Sequence, residues 1–187
     1  MESVDDILLD AEEKMVKTIN VLHEQFAGLR TGKASPALVE NLRVPYYGTP
    51  TRLREIAGIS TPEPRLIVIN AYDPTALPDI EKTILAANLG VTPMNDGRVI
   101  RVPIPELSEE RRKEMIKVAK RMAEEGRVSV RNVRRDANEH VKKLEKDHKV
   151  SEDAKEEALK QIQKDTDDYI KKIDEILKAK EAEVIVV

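Results

Sequence analysis

From Ser108 to about residue 146 the chain holds a helical period without a single proline, and Gly126 is the one glycine in the run. At ~1.5 Å per residue such a helix would be about 60 Å long. On an ideal wheel Met115, Val118, Met122, Val133, Ala137 and Leu144 share one arc. A helix this long cannot bury such a stripe by itself. Two more segments have the same character. Between residues 3 and 29, Val4, Ile7, Leu8, Ala11, Met15, Ile19, Leu22, Phe26 and Leu29 recur at spacings of three and four. Between about 152 and 183, Ala158, Ile162, Tyr169, Ile173 and Ile176 trace a third apolar face. Ser108 followed by two glutamates suits a helix start, and residues 147–152 break the period before the last helix. The economical solution is one three-helix bundle built from residues 1–30 and 105–187, with the first helix rejoining the other two in space.

The middle of the chain has a different composition. Residues 31–104 contain most of the prolines, β-type runs at Leu66–Asn70 and Val99–Val102, turn signals at Tyr47–Pro50 and Asn95–Gly97, and one short helical stretch at about 75–88. This predicts an α+β chain: an elongated bundle with a small β/α/β domain inserted into it. The chain must cross between the two domains twice. Thr31, Gly32, Lys33, Ala34 and Ser35 form one crossing, and Val102, Pro103, Ile104 and Pro105 the other. Their glycine and prolines suit a hinge pair, and they equally suit terminators in a rigid interface.

The long helix also carries charge in a pattern. Arg127, Arg131, Arg134 and Arg135 lie within nine residues on one side of the wheel, and Lys113, Lys117 and Lys120 extend the stripe with Glu124 as its acidic interruption. A solvated bundle face is the commoner reason for such a run. Two details favour a surface for phosphate backbone: the run is rich in arginine, whose planar fork suits phosphate oxygens, and few acids stand at i±4. Because the net charge is −3, any nucleic-acid binding has to come from this local arrangement. With Phe26, Tyr46, Tyr47, Tyr72 and Tyr169 as the only rings, reading single strands by serial base stacking is disfavoured.

Several chemistries find no support. Gly28–Ser35 resembles a phosphate-binding loop, but three residues separate its glycines, Ala34 stands where the magnesium-binding hydroxyl belongs, and a helix precedes it. His23, His140 and His148 show no metal-ligand spacing, cysteine is absent, and Asp165, Asp167 and Asp168 lack the glycine and closing glutamate of a calcium loop. The chain is therefore expected to be neither an enzyme nor a cofactor or metal binder. No apolar run reaches membrane-spanning length, and the acidic start Met1–Asp6 is unlike a signal peptide, so a cytoplasmic protein without membrane contact is expected.

Arg30-Thr-Gly-Lys-Ala-Ser-Pro36, Tyr46-Tyr-Gly-Thr-Pro50, Asp96–Pro103, Glu109–Lys113 and above all Val128–Asn138 resemble the bacterial ribosome recycling factor family, in order and over essentially the whole chain. The resemblance implies an L-shaped protein of a three-helix bundle and a hinged β/α/β insert. It implies binding to large-subunit ribosomal RNA of the post-termination ribosome. It further implies subunit separation with elongation factor G and GTP, with the third initiation factor acting afterwards, by a monomer. Arg30, Arg131 and Arg134 match family arginines that meet this RNA; Lys33, Lys117, Lys120, Arg127 and Arg135 join them from the charge stripe. Lys33 stands where the family often has arginine, and Pro45 where it often has an acid, which points to an edge strand or a bulge there. The rival expectation is a helical scaffold or adaptor, which would need an exposed apolar stripe rather than an exposed basic one.

Overall fold

The computed structural model describes residues 3–185, so the outermost residues of the expected bundle, 1–2 and 186–187, lie outside the described part. The chain divides into two compact units, Met1–Phe26 with Ile116–Val186, and Ala27–Met115. These divisions fall inside the first and fourth helices rather than at the expected 30/31 and 104/105.

The first unit is the bundle. Helix α1 spans Val4–Ala27, α4 Glu109–Lys146 and α5 Glu152–Ile185. The hydroxyls of Ser108 and Ser151 accept the amide hydrogens of Arg111 and Ala154, capping α4 and α5. His148, at φ +58, makes the turn between those two helices. At one end of the bundle, Ile7 and Ala11 pack with Ala137, Val141 and Leu144 of α4 and Ala158 and Ile162 of α5. That interdigitation accounts for the matched three-and-four spacing in three separated segments.

The buried arc of α4 differs from the expected one. Ala119, Ala123, Gly126, Val130, Ala137, Val141 and Leu144 are buried, an arc turned roughly 50° toward the arginine stripe. Met122 and Val133 are only half-buried. With Val21, Leu22 and Ser129 they line a groove of about 370 Å³ between α1 and α4. The reason is steric. Small side chains at 119, 123 and 126 let the partner helices approach closely: a Cβ added to Gly126 would lie 3.4 Å from Cδ1 of Ile173 and 3.9 Å from Cγ2 of Thr18. The larger side chains are pushed to the flank.

The second unit holds all the strands of the described residues. Hairpin β1 (Arg43–Tyr46) and β2 (Thr49–Arg52) forms a two-stranded sheet in which Pro45 faces Pro50. Both strands are edges, which explains how Pro45 is accommodated. A one-turn helix α2 (Leu53–Ile56) leads into β3 (Ala57–Glu63), followed by β4 (Leu66–Ala71), α3 (Leu77–Ala86), β5 (Met94–Asn95) and β6 (Ile100–Pro103). These four strands pair antiparallel in the order β3-β4-β6-β5. Their inward residues Ile67, Ile69, Ile100 and Val102 meet Leu77, Ile80 and Ile84 of α3 in one core. The α+β class expected from the sequence is the class observed.

If the small-residue contact sets the helix spacing, Ala123→Leu, at a position with no exposed surface, should destabilise the protein by ~1–3 kcal/mol through overpacking. Thermal unfolding of the two proteins measures this, and an unshifted melting temperature would show that α4 has room at this position.

A candidate phosphate-binding face on helix α4

The basic stripe of α4 divides into committed and uncommitted charges. Arg127 lies beside the buried arc and is largely covered. Its Nε donates to Oδ1 of Asp174 on α5 at 2.8 Å, its Nη1 donates to Glu124 at 3.0 Å, and its Nη2 lies 2.6 Å from Asp174. Burial works against its charge, but the hydrogen bonds to Asp174 and then Glu124 outweigh it and raise its pKa. Its fork is thus filled from within the bundle. The compensating acid stands 47 residues away in sequence, so the i±4 rule could not reveal it.

Arg131 keeps most of its fork open. It reaches Glu124 only at 3.4 Å through Nη1, and its side chain is 39% exposed. Arg134 has no carboxylate of the described residues within ion-pair distance, nor have Arg135, Lys117 or Lys120. Arg135 donates one bond to Oδ1 of Asn132 at 3.3 Å. Arg134 is half-buried, whereas Arg135, Lys117 and Lys120 are exposed. The uncommitted set spans about five turns of one rigid helix. Guanidinium groups on such a helix are held at fixed spacing, which suits bidentate contact with successive phosphates.

Arg30 and Lys33 belong to the second unit. Lys33 is exposed. The guanidinium of Arg30 folds back onto the chain: Nη2 donates to the carbonyl oxygen of Pro105 at 3.0 Å, and Nε is buried without a partner. Burial, and then the neighbouring charge of Arg111, lower its pKa. Gly90 makes the seat for this side chain. It adopts φ +72, and a Cβ there would lie 2.7 Å from Nη1 of Arg30. Arg30, which immediately precedes the first crossing, therefore clasps Pro105 of the second, with Gly90 as its seat, a role that the sequence did not suggest.

The expected hinge residues also sort themselves. Val102 and Pro103 are residues of β6, paired with Ile67 and Leu66, and Val102 and Ile104 are buried in the second unit's core. Ile104 donates its amide hydrogen to Arg65 and Ala34 to Pro64, each at 2.7 Å. Ser35 caps a short 3-10 turn at Pro36–Leu38. Thr31 and Gly32 carry no such backbone tie; Gly32, at φ +85, lies against Leu107. Pro103 thus ends a strand, and the weakly tied stretches are displaced from the expected crossings to 28–33 and 105–108.

Among the described residues no group of acidic or histidine side chains is placed to hold a metal ion, and no helix is long and apolar enough to cross a membrane.

Comparison with known proteins gives a consistent result. The family described as Ribosome recycling factor matches residues 22–185. A ribosome-recycling factor of Carboxydothermus hydrogenoformans is 52% identical over 182 residues, 97% of this chain and 98% of that protein. One of Alkaliphilus metalliredigens is 51% identical over 174 residues, 93% of this chain and 94% of its own length. A solution structure of the ribosome recycling factor superposes with a TM-score of 0.83 at 43% identity, covering 100% of both chains. A second, described as the T. thermophilus factor with E. coli elongation factor G bound to the E. coli post-termination complex, gives a TM-score of 0.70 at 42% identity and covers 98% of this chain and 99% of that one.

The seat at Gly90 makes a direct prediction. Gly90→Ala places a side chain at positive φ and displaces the head of Arg30, so the protein should lose ~1–2 kcal/mol of stability. Denaturant titration measures the loss, and Arg30→Ala in the Gly90→Ala background should add less than it does alone, since both changes break one contact.

Proposed function

The chain belongs to the ribosome recycling factor family, and on that premise we propose that it binds the ribosome after termination and, with elongation factor G and GTP, separates the subunits. Messenger and transfer RNA are thereby freed for another round, and the third initiation factor keeps the subunits apart. The observation that carries this reading is the row Lys117, Lys120, Arg131, Arg134 and Arg135 on α4, which keeps most of its donors free. Large-subunit ribosomal RNA is the phosphate-rich partner it would meet. Arg127 supports the row from beneath by tying α4 to α5 through Asp174.

The protein acts by binding and transmitting force, as a monomer, while the GTPase supplies the work. In this mechanism the bundle is anchored on RNA and the inserted domain is the arm that the GTPase pushes. Bending takes place in the stretches 28–33 and 105–108, where backbone ties are sparse, and the clasp from Arg30 to Pro105 holds those stretches together at rest.

Light scattering of post-termination ribosomes tests the function. The protein with elongation factor G and GTP should lower the scattering, and neither alone should do so. Four glycines inserted after Thr31 should leave ribosome binding intact and abolish the drop. No drop with the unaltered protein contradicts the proposed function, and an undiminished drop with the lengthened one contradicts the lever.

A further inference from the structure

The tip of the β1–β2 hairpin carries a strain that the turn itself does not require. Its two central residues, Tyr47 and Gly48, have φ of +48 and +77, as a two-residue hairpin turn demands, but that geometry favours asparagine, aspartate or glycine at the first position. A bulky residue there is an outlier. Burial does not compensate for it, since Tyr47 is 82% exposed.

What fixes the ring is a carboxylate. The hydroxyls of Tyr47 and Tyr46 both donate to Oδ2 of Asp73, each at 3.2 Å, and the two rings meet edge to face with centroids 4.6 Å apart. Oδ1 of Asp73 accepts from the amide and the hydroxyl of Thr75 at 3.0 and 2.7 Å. These bonds, those from Thr75 foremost, hold Asp73 below the usual carboxylate range, so it stays an anion. Tyr72, next in sequence, is 73% exposed, and its amide is pinned to the carbonyl of Ile56 at 3.0 Å. Two of the chain's four tyrosines thus bond to one anion, a third, Tyr72, adjoins it in sequence with its ring beside Gly58, and Tyr47 and Tyr72 face solvent.

We infer that Tyr47 and Tyr72, flanking Asp73, form the inserted domain's contact surface for a protein partner that presents an arginine or lysine side chain. A phenol that donates to a carboxylate gains electron density in its ring, and the ring face then attracts a cation more strongly. The fixed negative charge of Asp73 adds to that attraction and repels phosphate. Because the hydroxyl of Tyr47 is already held, docking onto its ring costs little side-chain entropy. Aromatic rings and arginine are the usual anchors of protein interfaces. The chain makes one such contact internally, with Nζ of Lys172 4.6 Å from the centroid of the Tyr169 ring. The inference deepens the proposed function and rests on it in one respect, that the inserted domain is the arm a protein partner engages.

Two measurements on the full-length protein test it. In the first, the tyrosine ring NMR signals are followed while N-acetylarginine amide, and separately AMP, is added. Arginine amide should shift the signals of Tyr47 and Tyr72 and leave Tyr169 in place. Shifts with AMP alone would overturn the inference in favour of base stacking, and no shift with either would overturn it outright. In the second, Tyr47→Asn, which suits the turn and should melt no lower than the parent, is combined with Tyr72→Ser in the light-scattering assay. Subunit separation should slow by about fivefold or more at unchanged ribosome affinity; an unchanged rate overturns the inference. If the unaltered protein separates no subunits, the proposed function fails, and the NMR titration alone decides the chemistry of this surface.

Discussion

The close approach that small residues allow along α4 governs the rest of the bundle. Ala119, Ala123 and Val130 are fully buried, and Gly126 leaves Ile173 and Thr18 no room for more than a methyl group. Three helices packed at that distance place the side chains beside the seam at fixed positions. Arg127 falls within reach of Asp174 and is neutralised, while Arg131 and Arg134, further along the same face, keep donors to spare. Met122 and Val133 are displaced to the α1 side, where they line a groove with Val21. One packing constraint therefore sets both which arginines are available and where apolar surface is left open.

Much of this architecture was legible because hydrophobic period survives in a single sequence. Spacings of three and four located α1, α4 and α5, the alternating runs at Leu66 and Val99 located β4 and β6, and turn residues located the hairpins. The buried arc of α4 was misplaced for a physical reason. Alanine and glycine carry little hydrophobic weight, so a wheel follows Met115, Val118 and Met122, although close packing selects by size. Charge was legible as a stripe and illegible as a set of pairs, because Asp174 meets Arg127 only once α5 has turned back along α4. Pro103 and Pro105 suggested a hinge, yet ladder pairing holds Pro103 at the end of β6. The Arg30 clasp could not be foreseen, since it depends on the backbone of Gly90 and the carbonyl of Pro105 meeting around one side chain.

The proposed function gives different work to the two units. The bundle offers charge at fixed spacing. The inserted domain offers a strained hairpin, two exposed rings and a saturated carboxylate. Such a division suits a protein that transmits a partner's force between an RNA-facing surface and a protein-facing one.

The central claim is that the uncommitted guanidinium groups of α4 bind phosphate, and the salt dependence of ribosome affinity tests it most directly. Affinity should fall on a log-log plot with a slope of roughly −0.9 per neutralised phosphate if the duplex value is borrowed, and Arg131→Ala with Arg134→Ala should make that slope shallower by about 2. Arg127→Ala, which removes a charge already paired, should change the slope far less. A slope unaltered by the loss of Arg131 and Arg134 would contradict phosphate binding by this face and shift attention to the apolar groove between α1 and α4.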